Sequence, residues 1–429
     1  PIVDRTLADG TALYVISNPE EQIITFGLYL RSGSAHDVTQ GASAFAMEML
    51  TRGTKYKSGE EFAENVEFMG SNVRSSCDRD TSSVSGVCLK EYFDQTLALA
   101  AEALLHPAFD MEELDVLRER CITEALIDEK DPDWLATQAS NRICYAGHPY
   151  ERRRRGTVAD MRSLTPDHLR IAHQRVMESP RCIIVAGPVD ADKVADDFNT
   201  ALASLPTPTF DPTLPQAREK ERVGCIAVNN EAVQTSFRIS LPCAPYSDER
   251  YPAIQLITGT LGGYTLARLF AALREEKGYT YGAYAVNSVR PYARTTDIIT
   301  NVGNEFTADT LDTIAHEVNR IATERIPDEE LENTRQQILG TFARSTETPQ
   351  QSAGLLWQTL FHGLPRDYFP TLITRLQQLT SDDLREIQKE FFDVSRWGVG
   401  ASGVEDVVLP AVQNHANSVE LMHIESTEA

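Results

Sequence analysis

Apolar positions alternate with polar ones near the N-terminus and recur at helical spacing further along. Thr11-Ala12-Leu13-Tyr14-Val15-Ile16 and Ile23-Ile24-Thr25-Phe26-Gly27-Leu28-Tyr29-Leu30 are rich in β-branched and aromatic residues, and are bounded by Asp-Gly, Asn-Pro and Ser-Gly. That punctuation and composition predict two strands. Over 109–130, Phe109, Met111, Leu114, Leu117, Cys121, Ile122 and Leu126 fall near a 3.6-residue period and predict a helix. Thr165-Pro166-Asp167 offers an N-cap followed by proline at the first helical position, opening another. The run Cys182-Ile183-Ile184-Val185-Ala186-Gly187 reads as a buried strand. Strands that mix with helices in this way predict an α+β fold, with helices packed on a sheet.

The pattern is written twice. Features of the first half return about 215 residues later in the same order. Glu112-Glu113-Leu114 is answered by Glu329-Glu330-Leu331, and Pro132 by Pro349. Gly147-His148-Pro149 is answered by Gly363-Leu364-Pro365, Leu164-Thr165-Pro166-Asp167 by Leu379-Thr380-Ser381-Asp382, and Ala186-Gly187 by Ser402-Gly403. Between the copies lies 206–222, with four prolines and then a charge run, which is linker composition. The expected organisation is therefore a domain at 1–205, a Pro-rich linker at 206–222 and a homologous domain at 223–429. Each domain is a mixed or antiparallel sheet with helices, and the two are related by pseudo-twofold symmetry.

Composition narrows the function classes. The net charge of −23 over 429 residues repels nucleic acid and anionic lipid, so neither is an expected partner. No apolar run approaches the length of a membrane span, and a soluble protein of the cytoplasm or periplasm is expected, with the compartment open. The 7 cysteines include no Cys-x-x-Cys pair, which argues against both a thiolate zinc site and a disulfide framework. They read as small buried hydrophobes. The histidines are dispersed, and His168 and His173, five apart, do not share a helix face.

Several stretches carry a family resemblance across essentially the whole chain. They are Leu7-Ala8-Asp9-Gly10, Arg31-Ser32-Gly33-Ser34, Gly41 through Thr54, Gly147-His148-Pro149-Tyr150 and Gly156-Thr157. Together they resemble the pitrilysin/insulinase family of zinc metallopeptidases. In active members the segment matching 44–48 reads His-x-x-Glu-His, in which two histidines one turn apart bind zinc and the glutamate activates water. Here the corresponding residues are Ala44, Met47 and Glu48. The resemblance places the family's third ligand at Glu124, which is retained. Its plain alternative is a surface charge paired with Arg120 at i,i+4. Two carboxylates do not replace a His₂Glu set, so no metal is expected in this chain.

The second half keeps something that the first has lost. Arg274 and Tyr281, seven residues apart, match the pair with which the family's second domain faces the zinc site. A phenol and a guanidinium can both donate hydrogen bonds to a developing oxyanion. The plain alternative is an arginine at a helix C-terminus followed by a β-favouring aromatic. In that segment Leu266, Leu269, Phe270 and Leu273 predict one apolar helix face, Tyr279 to Val286 a strand, and Gly259, Gly262 and Gly263 a tight turn into the helix. The run Arg152 to Arg155 reads as a solvated basic patch.

The resemblance implies a zinc-free subunit, inactive alone, of a heterodimeric metalloendopeptidase. Its expected partner is a homologous zinc-bearing chain, its substrates are peptides, and zinc lies in the partner. Like the zinc-less processing-peptidase subunits, it is open to a second reading as a non-catalytic peptide-binding or scaffold subunit.

Overall fold

The computed structural model describes residues 2–218 and 222–423. Six strands come from the first half: β1 (Ile2–Thr6), β2 (Ala12–Ser17), β3 (Ile23–Leu30), β4 (Asn72–Cys77), β5 (Ser82–Leu89) and β6 (Arg181–Gly187). They form one mixed sheet in the order β1-β2-β6-β3-β5-β4. The pair β2·β6 is parallel and the other pairings are antiparallel. Strand β6, buried along its whole length, sits inside the sheet, as its unbroken apolar run requires.

The second half supplies β7 (Val223–Val228), β8 (Gln234–Pro242), β9 (Ala283–Val289), β10 (Arg294–Gly303), β11 (Gly398–Gly403) and β12 (Ser418–Met422). Their order is β12-β7-β11-β8-β10-β9. Five successive positions match the first sheet one for one. The outermost strand differs: β1 precedes its neighbour in the chain and runs antiparallel to it, whereas β12 comes from the end of its half and runs parallel. The duplication extends to single hydrogen bonds. Arg118, on the helix Met111–Asp128, donates to the carbonyls of Met161 at 3.1 Å and Leu164 at 2.8 Å. Arg335, on Asp328–Arg344, donates to Leu376 and Leu379, both at 2.7 Å. Each guanidinium satisfies carbonyls at the end of a neighbouring helix, where the backbone lacks partners of its own.

Contacts divide the chain into two compact units, each assembled from three stretches. One comprises Pro1–Ala125, Arg152–Thr213 and Ser345–Trp357; the other comprises Leu126–Glu151, Leu214–Arg344 and Gln358–Ala429. Each half therefore gives the other unit a helical piece. The helix Pro132–Cys144 lies on β7, β8 and β11. Its Leu135, Ala139 and Ile143 pack with Cys225 and Ala227. A Cβ at Gly400 would come within 2.6 Å of the Ser140 backbone nitrogen, so only glycine admits this approach. From the helix Pro349–Phe361, Trp357 stacks on Tyr29 of β3, with centroids 4.5 Å apart and planes 16° from parallel. The segment 206–218 carries no regular structure. All 7 cysteines are free and all but Cys144 are buried. No helix among the described residues is long and apolar enough to cross a membrane.

Candidate functional site

The helix Ala42–Met49 starts on Gly41, whose φ of 82° is open to glycine and strained for other residues. Just upstream, the Asp37 carboxylate accepts from the Ser43 amide at 3.2 Å and from its hydroxyl, anchoring the first turn. Burial pushes Asp37 up to about 6, opposed by the Ser43 hydrogen bonds and the nearby Arg175. Ala44 and Met47, where the resemblance calls for a histidine and a glutamate, are fully buried in the core of this unit. The Ser75 hydroxyl donates to the Met47 carbonyl, tying the helix to strand β4.

Glu48 is the one residue of this helix that is not buried. Its carboxylate accepts from Arg155 Nε at 2.8 Å and from Arg120 Nη2 at 3.2 Å. The same Arg155 donates through Nη1 to Glu124 at 2.7 Å, so one guanidinium bridges the two carboxylates that the family resemblance singles out. Arg120 lies 3.5 Å from Glu124, and Arg154 lies 3.7 Å from Glu48. Side-chain exposure is 17% for Glu48, 23% for Arg155 and 45% for Glu124, which makes this a half-buried network. Burial opposes the charge on Arg155, but the hydrogen bond and charge of Glu48 outweigh it and hold the guanidinium above its ordinary range. The expectation of a solvated Arg152 to Arg155 patch is therefore corrected. Arg155 reaches inward because Gly41 lets its backbone pass: a Cβ at Gly41 would meet the Arg155 carbonyl oxygen at 2.3 Å.

Zinc does not fit these residues. A catalytic zinc needs three protein ligands with nitrogen or sulfur among them, whereas this site offers two carboxylates already paired to arginine. Among the described residues no group of three or more His, Cys, Asp or Glu is placed to hold a metal ion.

Arg274 and Tyr281 lie on neighbouring turns of the other unit. Ala271–Glu276 is a π-helical turn, a wide-bore irregularity in which Arg274 points its guanidinium back. Nη1 donates to the Tyr281 carbonyl at 3.1 Å, and the guanidinium carbon sits 4.9 Å over the Phe270 ring. Gly278, with φ of 71°, turns the chain. Tyr279 stacks on Phe306 at 4.1 Å, and the Thr280 hydroxyl donates to the Gly282 carbonyl at 2.9 Å. Between these anchors the Tyr281 side chain is 90% exposed.

Several local readings change here. The strand begins at Ala283, not Tyr279, because 279–282 is spent on the turn that presents Tyr281. Leu266 is 79% exposed and leaves the apolar face kept by Leu269, Phe270 and Leu273. Gly259 and Gly262 lie inside the helix Tyr251–Gly262 rather than in a turn leading into it. A Cβ at Gly262 would come within 2.5 Å of the Ala285 amide, so the residue admits β9 close to the helix. The bridging role of Arg155 was the functional feature missed from sequence; four consecutive arginines carry no sign of which one turns inward.

Comparisons with known proteins identify related sequences and a shared fold. The model described as Insulinase (Peptidase family M16) matches residues 13–158, and Peptidase M16 inactive domain matches 163–338. An uncharacterized zinc protease, YmxG, of Bacillus subtilis is 24% identical over 354 residues, covering 80% of this chain and 84% of its own. The non-peptidase homolog YmxG of Helicobacter pylori is 19% identical, covering 85% and 84%. Mitochondrial-processing peptidase subunit alpha of Solanum tuberosum is 27% identical over 205 residues, covering 47% and 40%. Among solved structures, a peptidase M16 inactive domain from Pseudomonas fluorescens superposes with a TM-score of 0.88 at 20% identity, covering 94% of this chain and 98% of its own.

Proposed function

This chain belongs to the insulinase family of peptidases, family M16, and on that premise we propose that it is the zinc-free subunit of a two-chain metallopeptidase. In this reading Arg274 and Tyr281 act on a peptide held at a homologous, zinc-bearing partner. The observation that carries it is the presentation of Tyr281. Its backbone is fixed by Arg274 and by neighbouring packed residues, yet its phenol is almost wholly exposed. A tyrosine kept for packing alone would gain nothing from that arrangement, because burying the ring is where its stabilisation lies.

When a peptide carbonyl is attacked, negative charge develops on its oxygen, and a fixed phenol O–H and guanidinium N–H donors stabilise it more than they stabilise the substrate. The partner's zinc would activate the water. The motif positions Ala44, Met47, Glu48 and Glu124 do no chemistry here, so the chain alone is inactive. Two relatives support parts of this reading: one is named a non-peptidase homolog and another is the alpha subunit of a processing peptidase.

The test is complementation. The chain is mixed with a zinc-bearing homologue encoded in the same genome, and sedimentation, zinc content and peptide cleavage are followed together. A one-to-one complex with one zinc in the partner, cleaving peptides that neither chain cleaves alone, is expected. A partner that cleaves at the same rate without this chain contradicts the proposal. A complex whose activity ignores Tyr281 supports the second reading, a peptide-binding or scaffold subunit.

A further inference from the structure

The degenerate metal site is not simply a site with its ligands missing. Glu48 and Glu124 still converge, and the space between them is filled by one guanidinium that donates to both, at 2.8 and 2.7 Å. Arg120 and Arg154 flank it, so three positive charges surround two negative ones. The backbone of Arg155 is held against the start of the Ala42–Met49 helix at Gly41, where no side chain fits. Thus the guanidinium is delivered from a fixed point rather than wandering in from the surface. Arginine suits the task because its planar fork meets two carboxylates at once and keeps its charge at any physiological pH.

We propose that Arg155 is a built-in cation occupying the position of the family's metal, and that it excludes divalent metal from this site independently of the lost histidines. This role involves only side chains within one unit and stands apart from the subunit reading above. A divalent ion entering between Glu48 and Glu124 must displace a charge-assisted hydrogen bond from each carboxylate and then sit beside three guanidiniums, two costs that an emptied site would not impose.

The test separates the guanidinium from the missing imidazoles by comparing Glu48→His with Glu48→His/Arg155→Leu. Both variants offer the same new imidazole and the same Glu124, and they differ only in Arg155. Zinc affinity is read by competition with a chromophoric chelator, and zinc-dependent thermal shift is read alongside it. The double variant is expected to bind zinc about 100-fold more tightly than Glu48→His, a change of the size seen when groups that tune a metal ligand are altered. Adding Glu124→Gln to the double variant should abolish the gain. Equal zinc affinity in the two variants overturns the proposal, and so does a gain that survives Glu124→Gln. If Arg155→Leu does not fold, Arg155→Gln, neutral but still able to donate to a carboxylate, carries the same comparison.

Discussion

Arg155 has two partners, and removing it leaves both without their strongest donor. Glu48 is only 17% exposed, so although Arg120 remains as a donor, Arg155→Ala weakens the pairing of a carboxylate that water reaches poorly. A loss of about 1–3 kcal/mol is expected, the range for hydrogen bonds to a charged, part-buried group, and chemical denaturation at neutral pH measures it. Two other groups in the same unit act on acid stability in opposite directions. Burial raises Asp37 from 3.8 to about 6, so the folded chain keeps a proton that the unfolded chain has lost, and stability falls as pH rises through that window. Burial lowers His173 from 6.5 to about 4, against a hydrogen bond that the imidazole donates to the Leu104 backbone. There the unfolded chain takes up a proton that the folded chain refuses, so stability falls as pH drops through that window. The two slopes partly cancel. Relative to the native chain, Asp37→Asn should gain stability and His173→Gln should lose it as pH rises from 4 to 6, each by on the order of 1–3 kcal/mol. Urea unfolding at stepped pH reads both, and parallel curves for the native chain and Asp37→Asn would refute the assignment.

At the scale of elements, the two units depend on exchanged pieces. The helix Pro132–Cys144 belongs in sequence to the first half and covers the sheet of the second, while Trp357 comes from the second and stacks in the first. Fragments 1–205 and 223–429 expressed apart should therefore lack cooperative thermal transitions, and co-expressed they should purify together with one. Two independently folding fragments would show the exchange to be dispensable. This exchange was not legible in the sequence, although its landmarks were. Pro132 and Pro349 marked equivalent positions of the repeat, which prove to be helix starts, but that equivalence does not say which sheet each helix will cover. Strands β2, β3 and β6 were legible because their alternation or unbroken apolar runs encode burial directly. The turn at Tyr279–Gly282 was not, since aromatic and β-branched residues are the composition of a strand, and only Gly278 and the π-helical turn before it divert the chain. The departure from His-x-x-Glu-His at Ala44 and Met47 was plain from residue identity, whereas the bridging of Glu48 and Glu124 by Arg155 depended on a backbone approach at Gly41 that sequence does not display.

In the whole molecule, one duplicated fold has met two fates. The first copy closes an ion-pair network around Glu48 and Glu124, and the second keeps an exposed phenol on an anchored turn. A chain built this way is expected to contribute to catalysis only in an assembly, which makes the Tyr281 hydroxyl the point at which the account is most exposed to refutation. The direct measurement is steady-state peptide cleavage by the complex reconstituted from Tyr281→Phe and its zinc-bearing homologue, with assembly checked by sedimentation. The substitution keeps the ring and the Arg274 hydrogen bond to the backbone carbonyl, so the complex should form normally while kcat falls by about 10²–10³, the range for one lost oxyanion donor. A complex that assembles normally and cleaves at the native rate would contradict the account.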